Sequence, residues 1–303
     1  MIQNPIYDEL IKLKLISKSN LITLSNTTRD KKIKVLKDLK SKIIFIEKYI
    51  TTNEYYSKLK YKDEDRKLIN KSKKKEINVK TLFGNLKTPI IDDDYRRISQ
   101  FDKLLKNKNI LDFGCGWGSF LSNIKNYKSL NGVELRRECI NHIKNNNKKI
   151  KISNDINYFK KKFDIITMFH VLEHIPYQVN TLKILKSKLK NKGKIIIEVP
   201  HAEDFLILQD DLKEFKKFTF WSEHLILHTQ RSLKSVLLKS GFKKINIQYY
   251  QRYNFSNHLG WFLNRKPGGH QFYKNIITDS LNLSYCENLK KLCQTDTLIA
   301  IAE

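Results

Sequence analysis

The chain is 303 residues long, with 40% hydrophobic and 11% aromatic residues and a formal net charge of +27. That length suits one large domain or a domain with an extension, and the aromatic content excludes wholesale disorder. Four cysteines without a C-x-x-C pair exclude a disulfide scaffold or an ordinary zinc finger, leaving Cys286 and Cys293 as thiols.

No apolar run approaches the roughly 18–20 residues of a membrane span. The opening MIQNPIYDELIKLKLISKSN lacks a basic-then-apolar signal layout. A soluble protein of a reducing, cytoplasmic compartment is expected. The positive charge is spread along the chain: residues 1–100 carry 24 basic and 13 acidic side chains, and residues 101–303 carry 34 and 18. Only 9 of the 58 basic residues are Arg, the side chain that forks onto phosphates and guanine edges. A Lys-coated solvated surface is the favoured reading and nucleic acid the less favoured partner. Lys73 to Lys75 and Lys160 to Lys162 are the runs suited to a polyanion.

Residues 1–90 read as a charged helical extension or cap, with Ile33, Leu36, Leu39, Ile43, Ile46 and Ile50 at helix-like spacing. Tyr55, Tyr56, Tyr61 and a charged stretch at 62–76 follow, and Gly84 to Asp94 reads as a connector into a second domain, 91–303. From residue 109 the pattern becomes alternation of short apolar strands with amphipathic segments. The strands are expected at 109–113, 129–134, 150–153, 163–169, 194–199, 244–250 and 297–302. Helices are expected at about 118–127, 136–146, 178–190 and 230–240. Near-continuous apolar strands separated by helices predict a doubly wound α/β sheet covered on both faces. Residues 251–295 form an insertion between the last two strands.

The first strand runs into Asp112-Phe113-Gly114-Cys115-Gly116-Trp117-Gly118. Glycines at such a turn let backbone approach a ligand without a Cβ in the way. The spacing is G-x-G-x-G, and Ser119 stands where a dinucleotide fingerprint needs glycine. Asp112 suits a cationic ammonium group better than a pyrophosphate. Glu134 ends the second strand, where a carboxylate accepts from vicinal ribose hydroxyls. Asp155 follows the third strand and suits an adenine amino group, with Ile156 packing on the ring.

Together DFGCGWG, NGVELRRE, SNDI and FDIITMFHVLEHIP resemble the class I S-adenosylmethionine-dependent methyltransferases over roughly residues 105–303. The resemblance implies a seven-stranded Rossmann-like sheet and S-adenosyl-L-methionine as methyl donor. It implies that Asp112, Gly114 and Gly116 bind the donor's methionine end, Glu134 the ribose and Asp155 the adenine. Phe169 and His170 would line the donor's amino group and sulfonium. QRYNFSNHLGWFLNRKPGGH is similar to a bacterial subset working on surface glycans and lipids.

Transfer from a sulfonium is an in-line displacement, so the protein positions an acceptor and, where needed, removes its proton. Histidine suits that work near neutrality. His174, then His224, then His201 are the expected bases; a bracing role for His174 and a loop-capping role for His201 are the alternatives. His142 and His228 read as structural. His170, Glu173, His174 and His224 also include metal-ligand types, but no metal is expected. Tyr253, Asn257, His258, Trp261, Arg265 and the turn through Gly268, Gly269 and His270 suit stacking on a sugar or base and amide contact with a phosphate, or else a cover over the sheet edge. The expected acceptor is a sugar, nucleotide-sugar or glycan or lipid precursor; the alternatives are an RNA or protein methyltransferase and a non-catalytic binding module. The oligomeric state is left open.

Overall fold

The computed structural model describes residues 2–50, 55, 92–273, 275 and 277–303. The Tyr56 and Tyr61 positions, the charged stretch at 62–76 and most of the expected connector lie outside the described residues.

The strands, in chain order, are β1 (Ile2–Gln3), β2 (Leu21–Ser25), β3 (Val35–Asp38), β4 (Ile44–Ile46), β5 (Lys48–Tyr49), β6 (Asn109–Phe113) and β7 (Ser129–Val133). They continue as β8 (Ile150–Ser153), β9 (Phe163–Phe169), β10 (Leu189–Pro200), β11 (Ile226–Leu227), β12 (Ile245–Tyr250) and β13 (Thr297–Ala302). Seven of them form one sheet in the order β12-β13-β10-β9-β6-β7-β8. The β6–β7, β6–β9 and β7–β8 pairs are parallel, and β12 pairs antiparallel with β13. The seven strands and the helices Arg137–Asn146, Gln178–Ser187 and Gln230–Lys239 fall where the apolar runs placed them. β10 is longer than expected, and the helix after β6 is shorter, Ser119–Asn123.

The extension is not helical throughout. Only Pro5–Lys12 forms an α-helix there, with Asn4 capping it by accepting from Ile6 N at 3.1 Å. The stretch expected as a helix from Ile33 folds instead as β3, β4 and β5. Three consecutive side chains, Ile44 to Ile46, are buried, which a helix with one apolar face would not achieve. Asp38 closes the β3–β4 turn by accepting from the amides of Lys40 and Ser41, and its partners keep its carboxyl below the usual range. β4 pairs with β11, Ile44 opposite Leu227, in a four-stranded sheet ordered β11-β4-β3-β2. The residues read as the end of a connector, Asp92 to Asp94, are the first turn of a helix, Asp92–Leu105.

The described chain packs as two units. Of the described residues, one takes in 2–50, 169–186 and those from 196 onward; the other takes in 55, 92–168 and 187–195. In the first, Ile6, Leu10, Val35, Ile43, Phe45, Phe220, Leu225 and Trp261 belong to one apolar core. Glu9 accepts from the amides of Gln178 and Val179, so the extension supplies the cap of the helix Gln178–Ser187. In the second, Ile110, Leu111, Phe163 and Ile166 have no exposed surface.

Among the described residues no helix is long and apolar enough to cross a membrane. All four cysteines are free thiols.

Candidate functional site

The glycine turn leaves β6 with Gly114, Gly116 and Gly118 at φ of 80°, 52° and 77°. Those left-handed values explain the G-x-G-x-G spacing, because an L side chain is strained there. A Cβ on Gly132 of the neighbouring strand would meet Cys115 Sγ at 2.7 Å, so that glycine lets the turn fold down against β7.

Asp112 is buried at the end of β6 and accepts from the Thr167 hydroxyl at 2.7 Å. Burial pushes its carboxyl up to about 7 despite that hydrogen bond, and the Asp94 carboxylate adds to the rise. Asp94 pairs with Arg97 at 2.9 Å, both buried, on the helix Asp92–Leu105. This pair was not anticipated; the signal was three consecutive acids followed by two arginines.

Glu134 does more than offer a ribose acceptor. Its Oε2 accepts from Gly116 N at 2.8 Å, and its Oε1 accepts from the amides of Leu135 and Arg136, each at 2.9 Å. The carboxylate therefore fixes the turn's backbone and the start of the helix Arg137–Asn146. Asp155 is exposed and caps a short 3₁₀ turn by accepting from Asn157 N at 2.9 Å, with half-buried Ile156 next in the turn. The geometry fits the donor the resemblance implies: a buried acid for an ammonium group and a cradle without Cβ atoms.

In the other unit, the chain after β9 turns sharply at His170, whose φ of 51° is unusual for a non-glycine residue. Its Nδ1 lies 3.2 Å from Glu173 Oε1 and its Nε2 lies 3.2 Å from Glu198 Oε1. Against the cost of burial, those two carboxylates raise the affinity of the ring for its second proton. Glu198, fully buried within the apolar run of β10, was not anticipated either; an acid inside IIIEVP was the available signal.

Glu173 is fully buried, and the His170 hydrogen bond and the neighbouring imidazoles overcome its burial to hold it at about 2. His224 is pushed down to about 3 by burial and the neighbouring His174. The rings of His174 and His224 meet edge to face, centroids 5.0 Å apart. Glu173 O accepts from Leu225 N at 2.8 Å, which ties the turn carrying His174 to the segment carrying His224. The extension holds that segment in turn: Asp30 accepts from both the amide and the hydroxyl of Ser222, and Arg29 lies over the rings of Phe218 and Trp221.

His201 stands apart from this cluster. It is buried, and its Nδ1–H donates to Thr295 O at 2.8 Å. His228 is equally buried, against Ser232 Oγ. The insertion is a packed cover built of helices Phe255–Asn264, Gly269–Phe272 and Asp279–Lys291. Trp261 lies in the core, His258 is buried between Tyr285 and Gln251, and Asn257 is buried too, so none of the three presents a stacking face. Gly269 packs against Gly260 where two of these helices cross, and that close approach accounts for the glycine turn.

The sequence matches the family model for a methyltransferase domain over residues 87–247. Among curated proteins it is similar to a tRNA U34 carboxymethyltransferase of Nautilia profundicola, 29% identical over 54% of this chain and 55% of that one. It is also similar to a ubiquinone biosynthesis O-methyltransferase of Coxiella burnetii, 30% identical over 30% of this chain and 43% of the relative. The chain spans about half the length of the curated relatives it matches. A solved S-adenosylmethionine-dependent methyltransferase from Archaeoglobus fulgidus aligns with 75% of this chain and 98% of its own, at 20% identity and a TM-score of 0.47. The narrower resemblance to surface-glycan enzymes finds no support among these relatives.

Proposed function

The chain belongs to the class I S-adenosylmethionine-dependent methyltransferases, and on that premise we propose that it methylates a hydroxyl of a small polar acceptor, of the sugar or glycan-precursor class. The observation that carries this reading is the grouping of Glu173, His174 and His224, a carboxylate and two imidazoles held together by backbone hydrogen bonds.

Bound S-adenosylmethionine supplies an electrophilic methyl on a cationic sulfur. Asp112 receives the donor's ammonium group, and Gly114 and Gly116 allow backbone to lie against its methionine end. Glu134 keeps the turn in shape while accepting from the ribose, and Asp155 and Ile156 meet the adenine. Phe169 and His170 are the donor-contact residues that the resemblance implies in the other unit, where His170 is fixed in place by its two carboxylate partners. A hydroxyl must lose its proton as it takes the methyl, and His174 is the leading base. His224, held neutral by burial, stands behind it. His201, third in order, is occupied at Nδ1 by the Thr295 carbonyl. The similarity to a ubiquinone biosynthesis O-methyltransferase supports oxygen as the methylated atom.

RNA is the second reading, supported by the net charge of +27 and by the likeness to a tRNA-modifying enzyme. A screen with labelled donor against nucleotide sugars, simple phenols and bulk RNA separates the two. Label in a small acceptor is the expected result. Label in RNA alone, with binding that falls steeply as salt rises because phosphate contacts release counterions, replaces it with the second reading.

A further inference from the structure

We propose that Glu173, His174 and His224 bind a divalent transition-metal ion of the zinc class, and that this ion activates the acceptor hydroxyl. The inference rests on the reading of this cluster as the acceptor-side chemistry, and it adds a cation to it.

The geometry comes first. Each of the three residues offers one ligand atom, and these atoms all lie within 4.8 Å of one another; no other such trio occurs among the described residues. Bonds of about 2.0–2.2 Å from zinc to imidazole nitrogen or carboxylate oxygen require only a modest inward movement of the three side chains. Glu173 Oε1 is taken up by His170, while Oε2 is buried without a hydrogen-bond partner among the described residues. A buried carboxylate oxygen left without a partner is costly, and a cation between the two imidazoles would satisfy it.

The scaffold is prepared for ligation. His174 N donates to Val171 O and His224 N donates to Trp221 O, so both ligands sit in closed turns, and the Leu225 N to Glu173 O bond joins those turns. His170 braces Glu173 at a second oxygen, in the manner of the outer partners that orient ligating carboxylates.

The donor set indicates the metal. Two imidazoles and one carboxylate suit zinc, cobalt or ferrous ions better than calcium or magnesium, which prefer all-oxygen cages. Three protein ligands leave a coordination position open, as in catalytic zinc sites. An acceptor oxygen filling it would ionise more readily, because the cation stabilises the charge left when its proton passes to water. His174 then serves as ligand rather than base.

The test is calorimetric titration of chelator-stripped, full-length protein with Zn²⁺, backed by the visible spectrum of the Co²⁺ form. One ion per chain is expected. His174→Ala and His224→Ala should each weaken binding by more than about 10–100-fold, the loss already caused by removing groups that merely orient ligands. His142→Ala, on the helix Arg137–Asn146 beside Trp117, should bind like the parent. Thermal melts and donor affinity report whether the variants are folded. Absence of one-to-one binding, or binding that survives both variants, overturns the site. So does methyl transfer undiminished in metal-free protein, an outcome that leaves His174 as the base. Metal held at the cluster without transfer to any acceptor leaves the site standing and overturns the functional reading.

Discussion

Asp112 at the glycine turn and Glu173 in the turn after β9 are both withdrawn from solvent, at 4% and 0% exposure, yet at neutrality Asp112 is only partly ionised and Glu173 fully so. Asp112 has one hydroxyl donor and the Asp94 and Glu134 carboxylates for company, and its proton is held up to about 7. Glu173 faces His170, His174 and His224 and stays ionised down to about 2. Burial penalises both anions; the neighbours decide the outcome. The first arrangement keeps a carboxylate ready to be called out by a cationic ligand. The second keeps a permanent anion among groups that take up protons or metal ions.

The sharpest way to break this contrast is at His174. His174→Ala should lower turnover by about 10²–10⁴-fold while changing donor affinity little, since His174 is not itself one of the donor contacts. Turnover and affinity measured on the same variant decide it. A proportionate loss of both would make His174 a brace.

Next come the two carboxylates themselves, replaced by their amides. Glu173→Gln removes a charge that its partners require and should cost about 3 kcal/mol of stability, the low end for breaking a buried pair. Asp112→Asn replaces a group that is mostly protonated at pH 6.5 and should change stability there by less than about 1 kcal/mol, the net size of an ordinary hydrogen bond. Urea denaturation of both at pH 6.5 measures the difference. Equal losses would show that burial alone, and not the neighbours, governs these sites.

How much of this was readable beforehand differs between the same regions. The turn from Asp112 to Gly118 was legible because its backbone angles demand glycine. The strands beside it were legible because burial on both faces makes them continuous apolar runs. The extension misled because Ile33, Leu36, Leu39, Ile43 and Ile46 keep helical spacing, whereas their true partners lie far along the chain, as in Ile44 opposite Leu227. Asn4 shows the same dependence: its side chain donates to Ile46 O and Leu225 O, 221 residues away in the second case. Glu173 and His174 adjoin in the sequence and group with His224 by ligand type, but the approach of His224 to the pair is tertiary and leaves no local trace. For the insertion residues Trp261 and His258 the sequence leaves a stacking face and a cover over the sheet edge as alternatives, because composition cannot tell an exposed aromatic from a packed one.

A smaller effect is expected at Glu134. Glu134→Ala should weaken donor binding by about 1.5–3 kcal/mol, the range for hydrogen bonds to a charged group. Part of that loss comes from releasing Gly116 N and the amides of Leu135 and Arg136. Glu134→Gln separates the parts, since the amide oxygen still accepts from one of these donors while the charge is gone. Unchanged calorimetric affinity in a folded Glu134→Ala protein would take the ribose contact away from this residue.

The gentlest probe changes no residue and uses pH. With its carboxyl pushed up to about 7, Asp112 in the free protein is mostly protonated at pH 6 and mostly ionised at pH 8. An ammonium group favours the ionised form, so below pH 7 donor binding must first release that proton. Affinity should therefore rise about tenfold between pH 6 and 8, or roughly 1.4 kcal/mol, with most of the rise below pH 7 and a plateau above pH 8. Titrations in buffers of different ionisation heat should show about one proton released per donor at pH 6 and almost none at pH 8, as linkage requires. The stability of the free protein should move the other way. Between the unfolded value near 3.9 and the folded value near 7, the native state holds the extra proton, so stability falls as pH rises through that window. Asp112→Asn should flatten both profiles. Wild-type affinity independent of pH from 6 to 8 would move the ammonium contact off Asp112 and end the contrast with Glu173.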